Sequence, residues 1–144
     1  GADHTINIQE EDPVARVLEL TDGVGVDCVI EAVGHFHEVK GQDAPLQQAV
    51  KMIRTGGRIV TCGLGEQFSP VHFKTLVIKE AEIIASRVTL GEFPRAIRLM
   101  DKGLLHPELL VTDKMALRDV GPAMAKVDLE DPKTIKVVMD VQNV

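Results

Sequence analysis

The pattern of hydrophobic and polar positions predicts strands and helices that follow one another along the chain. Residues 26–34 are nearly continuous in apolar side chains, as expected of a strand that is buried on both faces of a parallel sheet. Residues 58–63 and 82–87 have the same character and predict two more buried strands. We expect the connection over residues 68–79 to hold a short helix and a strand.

Helix start and stop signals lie between these runs. Asp12 followed by Pro13 is typical of a helix N-cap, and Gly23 predicts the end of that helix. A second apolar stripe predicts a helix over residues 46–54, which the Thr55-Gly56-Gly57 sequence should end. A third amphipathic helix is predicted over residues 93–100, with Gly103 after its last turn.

Shorter segments complete the predicted fold. Residues 5–8 alternate polar and apolar side chains and predict a strand, and residues 109–112 predict another. A further helix is predicted over residues 119–127, and residues 135–141 predict a closing strand. Alternation of strands and helices at this spacing indicates an α/β fold with right-handed crossover connections.

Composition narrows the function classes. The 144 residues, of 15.7 kDa, carry a net charge of −6 and no Trp or Tyr, so neither a basic surface nor an aromatic platform for nucleic acid is predicted. The chain has no apolar run long enough to span a bilayer and no basic-then-apolar leader pattern. Cys28 and Cys62 each lie in an apolar run and are predicted to be buried thiols. We therefore expect a cytoplasmic protein that binds neither nucleic acid nor membranes.

Two predicted strands end in glycine, at Gly34 and at Gly63-Leu64-Gly65. Ligands in open α/β sheets bind beyond the carboxyl ends of the strands, and a glycine there lets the backbone approach a flat ligand. The same glycines are also typical of tight turns between a strand and a helix. The spacing alone leaves both interpretations open.

Other candidate chemistry is weaker. Among five histidines only His35 and His37 are closely spaced, which fits solvated loop residues better than a metal site. The sequence has no phosphate-binding GxGxxG or Walker motif and no GxSxG nucleophile motif, and we predict no catalytic and no metal-binding residue. Lys136 stands in an otherwise apolar strand, either as an outward-facing side chain or as a phosphate contact.

Taken in order, several segments resemble the second half of medium-chain, alcohol-dehydrogenase-like oxidoreductases, above all the zinc-containing polyol and threonine dehydrogenase branch. The resemblance covers essentially the whole chain. It rests on residues 1–7 (GAD-x-x-I-N), residues 26–34 (VD-x-V-x-E-x-x-G), residues 56–63 (GG-x-x-V-x-x-G), residues 83–87, residues 101–103 and residues 135–138.

The resemblance implies an incomplete doubly wound (Rossmann) parallel sheet, the second half of a coenzyme domain. Residues 1–103 would form this partial dinucleotide-binding domain, with strands three to six but not strands one and two. Residues 104–144 would return to the catalytic domain. Residues 1 to about 24 would then have no native neighbour on the sheet.

The resemblance also implies which residues contact the cofactor, NAD or NADP. The segment Ala32-Val33-Gly34 would lie beside the adenosine half. Gly63 and Leu64, with Ile84-Ala85-Ser86, would lie along the nicotinamide half, and Lys136 would contact the pyrophosphate. The phosphate-binding turn, the residue that selects NAD over NADP and the zinc ligands would all precede Gly1.

These implications predict a portion of an NAD(P)-dependent dehydrogenase that oxidises a secondary alcohol to a ketone, with zinc bound elsewhere in the parent protein. The segment alone would be inactive. Residues 76–84 are the expected interface of a homo-oligomer, since relatives dimerise near the sixth strand. Two alternatives stay open: a zinc-free quinone-reductase-like relative, and a non-catalytic truncated fragment that acts only through association.

Overall fold

A computed structural model describes residues 1–34, 43–66, 68–87, 89–129 and 133–142 of the protein. The chain divides into two compact units, Gly1–Val88 and Thr89–Val144. In the described part of the chain, no helix combines the length and the apolar character needed to cross a bilayer.

The first unit is a three-stranded parallel sheet with helices between its strands, which confirms the α/β prediction. In chain order, its elements are α1 (Pro13–Leu20), β1 (Val26–Glu31), α2 (Pro45–Met52), β2 (Ile53–Thr61), α3 (Phe73–Lys79) and β3 (Glu82–Ala85). The strands lie in the order β1-β2-β3, and both neighbouring pairs are parallel. Each crossover between neighbouring strands contains a helix, as parallel strands require.

Helix α1 begins and ends at the residues that the sequence predicts. The Asp12 carboxylate accepts hydrogen bonds from the backbone N–H groups of Val14 (2.8 Å) and Ala15 (3.3 Å). Two of the four N–H groups that a helix start leaves unpaired are thereby satisfied. At the other end, Gly23 adopts φ 79° and its N–H donates to the Leu18 carbonyl at 2.7 Å, which closes the helix.

The hydrophobic core of this unit lies between one face of the sheet and the helices α2 and α3. Its buried members are Ala49, Val50, Ile53, Ile59 and Leu76. Ile53 and Ile59 are both 0% exposed, so β2 lies at the centre of this core. Burial of each such aliphatic side chain contributes about 1.5–3 kcal/mol.

The prediction that Cys28 and Cys62 are buried is wrong, because both are exposed. Cys28 pairs with Arg58 on the sheet face opposite the helices, and two residues on, Ile30 of the same face is 68% exposed. Burial on both faces needs a covering layer on each side. The helices α2 and α3 pack against one face only. Every second residue of the apolar run therefore lies on the uncovered face and is exposed.

The predicted strand at residues 5–8 is also absent, since residues 5–7 form no regular element and Ile8 begins a turn. The Asn7 side chain accepts a hydrogen bond from the Gln9 N–H (3.1 Å), and the Asn7 carbonyl accepts from Glu10 (2.9 Å). An asparagine that bonds to its neighbouring backbone in this way favours a turn over a strand. No residue of 1–24 belongs to the sheet.

The junction of α2 and β2 differs from the prediction by about two residues. The helix ends at Met52 instead of residue 54, and Ile53 already pairs with Val26 of β1. The next paired residues are Cys28 and Arg58, so residues 54–57 form an irregularity in the ladder. Burial of Ile53 in the core explains this early entry into the sheet.

The second unit contains α4 (Phe93–Asp101), a 3₁₀ turn (Pro107–Leu109), β4 (Asp113–Ala116), a second 3₁₀ turn (Leu117–Asp119), α5 (Val120–Asp128) and β5 (Val137–Asp140). Strands β4 and β5 form a parallel pair. The helices predicted over residues 93–100 and 119–127 and the strand predicted over residues 135–141 are confirmed, with ends shifted by up to two residues.

The predicted strand at residues 109–112 is wrong. Pro107 begins a 3₁₀ turn in which the Leu110 N–H donates to the Pro107 carbonyl at 3.0 Å. The strand instead covers Asp113–Ala116, which pairs with β5 from Val137 onward. The β-propensity of the apolar residues favoured a strand at residues 109–112. Pro107 instead restricts the backbone to a turn, and pairing with β5 sets the strand at Asp113–Ala116.

Candidate functional site

The carboxyl ends of the three parallel strands meet at one edge of the sheet. Glu31 at the end of β1 pairs with Thr61 at the end of β2, and Thr61 pairs with Ala85 at the end of β3. A cleft of about 300 Å³ lies at this edge, which we call the carboxyl-edge cleft. Its lining residues are Glu31, Gly34, Pro45, Leu46, Thr61, Gly63, Gly65, Phe68 and Ser69.

Glu31 organises the loops that follow β1 and β2. Its side-chain Oε1 accepts hydrogen bonds from the backbone N–H groups of Val33 (2.7 Å) and Gly34 (2.8 Å). Its backbone carbonyl accepts from the N–H groups of Cys62 (2.7 Å) and Gly63 (3.0 Å). One residue thus satisfies four donors, and it fastens the end of β1 to the end of β2.

Gly34 and Gly63 are required because the two loops cross in direct backbone contact. A Cβ on Gly34 would lie 2.0 Å from the Leu64 nitrogen, and one on Gly63 would lie 2.1 Å from the Gly34 nitrogen. Gly34 also adopts φ 72°, where side chains are strained. A close approach of the two loops therefore accounts for both glycines, and their contact with a ligand stays a prediction.

The end of β3 is fastened to the same edge. The Ser86 N–H donates to the Thr61 carbonyl at 2.9 Å, which continues the ladder one step beyond Ala85. Two of the predicted cofactor-contacting side chains are well exposed, with Val33 at 50% and Leu64 at 81%. Eight of the nine predicted cofactor residues thus lie at the ends of the strands, and they are Ala32, Val33, Gly34, Gly63, Leu64, Ile84, Ala85 and Ser86.

Lys136, the ninth predicted residue, belongs to the second unit. It precedes β5, its side chain is exposed, and its carbonyl accepts a hydrogen bond from the Thr112 N–H at 3.0 Å. The Thr112 hydroxyl also lies 3.2 Å from that carbonyl and 3.3 Å from the Lys136 nitrogen. This network fixes the Lys136 backbone and leaves its charged side chain in solvent.

Sequence reasoning did not select Glu31 or Phe68 as site residues, although both line the cleft. The sequence does contain a signal for Glu31. A carboxylate can accept hydrogen bonds from backbone N–H groups two and three residues later, which here belong to Val33 and Gly34. Phe68 carries no local pattern that distinguishes it. Only the position of its loop beside Gly34 and Gly63 identifies it.

Lys79 is a third residue whose role only the structure reveals. Its ammonium group donates to the carbonyls of Val50 (3.0 Å), Lys51 (2.8 Å) and Ile53 (2.6 Å). Partial burial lowers the pKa of Lys79 from its ordinary value. The side chain thus caps the last turn of α2 from α3, at the amino end of β2.

Within the described ranges, no group of three or more His, Cys, Asp or Glu side chains is placed to hold a metal ion. His35 and His37 lie outside those ranges. Of the other histidines, His72 hydrogen-bonds Thr75 at 2.6 Å, and His106 contacts Glu108 at 3.0 Å. These are local contacts in exposed parts of the chain.

Comparison with known proteins gives a consistent result. A family described as "Zinc-binding dehydrogenase" matches residues 1–102. Sorbitol dehydrogenase of Bacillus subtilis is 28% identical over 140 residues, which are 96% of this chain and 38% of that protein. L-threonine 3-dehydrogenase of Thermococcus kodakarensis is 32% identical over 117 residues, which are 79% of this chain and 31% of that protein. The chain thus spans about a third of the length of these curated relatives.

A solved structure extends the likeness to the fold. An alcohol dehydrogenase from Escherichia coli CFT073, complexed with the cofactor NADH, superposes with a TM-score of 0.81 and 28% identity. The match covers 96% of this chain and 39% of that one. The parallel strands and crossover helices described above are therefore those of a dehydrogenase coenzyme domain.

Proposed function

Because this chain belongs to the zinc-binding dehydrogenase family, we propose that it forms the C-terminal part of the coenzyme domain of an NAD(P)-dependent alcohol or polyol dehydrogenase. The carboxyl-edge cleft is the observation that carries this proposal. Open α/β sheets bind their ligands beyond the carboxyl ends of the strands, and here that edge is built from crossed glycine loops. Its volume of about 300 Å³ suits one part of a dinucleotide.

In this proposal the residues at the sheet edge hold the two halves of the cofactor. The segment Ala32-Val33-Gly34 lies against the adenosine half, and Gly63 and Leu64, with Ile84-Ala85-Ser86, lie against the nicotinamide half. The backbone at Gly34 and Gly63 supplies a surface without side chains, while Glu31 keeps both loops in place. Lys136 supplies a positive charge for the pyrophosphate.

Held by the residues at the carboxyl ends of the strands, a nicotinamide cofactor would supply the hydride acceptor for the oxidation of a secondary alcohol to a ketone, while the hydroxyl proton would leave to solvent. This chain contributes binding and orientation, since we assign it no catalytic group. We assign zinc to another part of the parent protein, as the family resemblance implies, and derive no step through it. We expect the 144-residue chain to bind the cofactor weakly and to have no turnover by itself.

We further propose that residues 76–84 form the interface of a homo-oligomer. Val77 is 64% exposed and Ile78 is 68% exposed on α3, beside the edge strand β3. Among the described residues, β3 pairs with β2 on one side only. An open strand edge next to exposed aliphatic side chains favours pairing with a second copy.

The test is a titration of the ¹⁵N-labelled chain with NADH, followed by the NMR shifts of backbone amides. We expect dissociation weaker than millimolar, with the largest shifts at the residues around Gly34, Gly63 and Ser86 and at Lys136. A parallel assay with NAD⁺ and sorbitol checks the expected lack of turnover. Shifts that are largest away from these residues, or no shifts up to the solubility limit of NADH, would contradict the proposal.

A further inference from the structure

Phe68 is an aromatic side chain on the carboxyl-edge cleft that none of its described neighbours covers. It is 101% exposed, although it lines the cleft together with Gly34 and Gly63. Full exposure of a phenylalanine is costly, because about 25 cal/mol is lost for each Å² of apolar surface left in water. The position of Phe68 at a cleft makes a bound ligand the simplest cover for its ring.

The rest of the cleft shows which kind of ligand would fit. Glycine backbone at Gly34 and Gly63 leaves room for a flat group, because no side chain projects there. Leu46 adds a half-buried apolar wall, and the Thr61 hydroxyl is a polar partner at the same edge. Apolar surface with a few polar groups is typical of sites for heteroaromatic rings.

We propose that Phe68 is a ring-binding residue of this site, and that it stacks on the face of a planar heteroaromatic ring of the ligand. The inference rests on the proposed function, and it adds a specificity-determining residue to it. An aromatic side chain prefers an offset-stacked or edge-to-face contact, which contributes beyond the burial of area. Removing the ring while keeping an aliphatic side chain should therefore weaken binding by about tenfold.

The first experiment compares Phe68→Leu with the wild-type chain in the NADH titration. The initial slope of the Gly63 amide shift against NADH concentration should fall about tenfold in the variant. Phe73→Leu is the matched control, because Phe73 is also exposed (73%) but does not line the cleft. Its slope should equal that of the wild type, and circular dichroism confirms that both variants fold.

The second experiment uses the lack of native tryptophan and tyrosine. The sequence has no Trp and no Tyr, so Phe68→Trp introduces the only indole fluorophore, at the cleft. AMP and nicotinamide mononucleotide serve as separate probes for the two rings of the cofactor, since neither absorbs at the emission wavelength and quenching needs contact. Phe73→Trp measures the quenching caused by random collisions with each probe. We expect one of the two probes to quench the fluorescence of Phe68→Trp much more than that of Phe73→Trp.

The outcomes separate this inference from the proposed function. If wild-type amides at Gly34 and Gly63 do not respond to NADH, the proposed function and the inference fail together. If the wild type responds but Phe68→Leu gives the same slope, only the role of Phe68 is overturned. Quenching of Phe68→Trp at the level of Phe73→Trp by both probes would overturn it as well.

Discussion

At the scale of single residues, the candidate site depends on backbone contacts that few side chains would tolerate. Gly34 and Gly63 lie so close that each leaves no room for a Cβ on the other. Glu31 holds the same two loops by four hydrogen bonds through its side chain and its carbonyl. The contacts of these residues are therefore explained by the crossing of the two loops, without any ligand.

Replacing Gly63 by alanine tests this crossing. The new Cβ would lie 2.1 Å from the Gly34 nitrogen, so backbone must shift, and we expect a loss of about 1–3 kcal/mol in the free energy of unfolding. Urea denaturation followed by circular dichroism measures the change. Gly121→Ala in α5 is the control, since its Cβ would meet nothing within 4 Å. It should leave stability unchanged or raise it by up to about 1 kcal/mol.

Replacing Glu31 by alanine removes the acceptor for two loop N–H groups. We expect amide hydrogen exchange at Val33 and Gly34 to become faster, with a loss of about 1–3 kcal/mol in stability. Glu31→Gln keeps one side-chain carbonyl oxygen and should restore much of the protection. Unchanged exchange in the alanine variant would show that the carboxylate does not hold the loop.

At the scale of elements, the helices and strands are joined by a few long-range side-chain contacts. Lys79 on α3 donates to three carbonyls around the end of α2 and the start of β2. In the second unit, Lys126 on α5 contacts the Asp113 carboxylate on β4. Both contacts join a helix to residues at least 13 positions away along the chain.

Replacing Lys79 by methionine keeps the length of the side chain but removes its three donors. The carbonyls of Val50, Lys51 and Ile53 would lose this partner, so we expect a loss of about 1–3 kcal/mol in the free energy of unfolding. Lys74→Met is the control, because Lys74 is an exposed residue of the same helix. A thermal or urea unfolding curve that is the same for both variants would argue against the cap.

The ion pair in the second unit predicts a pH effect. The hydrogen bond from Lys126 holds the pKa of Asp113 below its ordinary value of 3.8. The pair therefore stabilises the fold above that value, and its contribution is lost as the pH falls through the lower pKa of the folded state. An NMR titration of the Asp113 carboxyl carbon should show this pKa rising in Lys126→Met. In Lys114→Met, which changes an exposed neighbour, the pKa should stay low.

At the scale of the whole molecule, one face and both edges of the sheet in the first unit stay open in the described residues. On the face without helices, Ile30 is 68% exposed and Ile84 is 40% exposed. Beside the edge strand β3, Val77 and Ile78 of α3 are exposed as well. Such apolar surface favours association, so we expect this chain to form oligomers in solution.

Sedimentation velocity at increasing concentration tests the proposed interface at residues 76–84. We expect the wild-type chain to form dimers and Ile78→Lys to shift the equilibrium towards monomers, because the lysine brings a charge into an apolar contact. Ile97→Lys on α4 is the control, since Ile97 is 54% exposed and lies outside the interface. A wild-type chain that stays monomeric at high concentration would rule out this interface.

The sequence by itself determined the order of the main elements and the family. Near-continuous apolar runs predicted β1, β2 and β3, and start and stop signals such as Asp12 and Gly23 predicted α1. These features are local, because a helix cap or a strand run is fixed by residues close in the chain. The ordered glycine motifs likewise indicated a dehydrogenase coenzyme domain.

Only the tertiary structure decided burial, register and the contacts of the candidate site. Cys28 is exposed because helices cover one face of the sheet, which its apolar neighbours could not reveal. The crossing of Gly34 and Gly63, 29 positions apart, depends on the pairing of β1 with β2. Such contacts follow from which surfaces meet in space, and a linear pattern of residue types does not specify them.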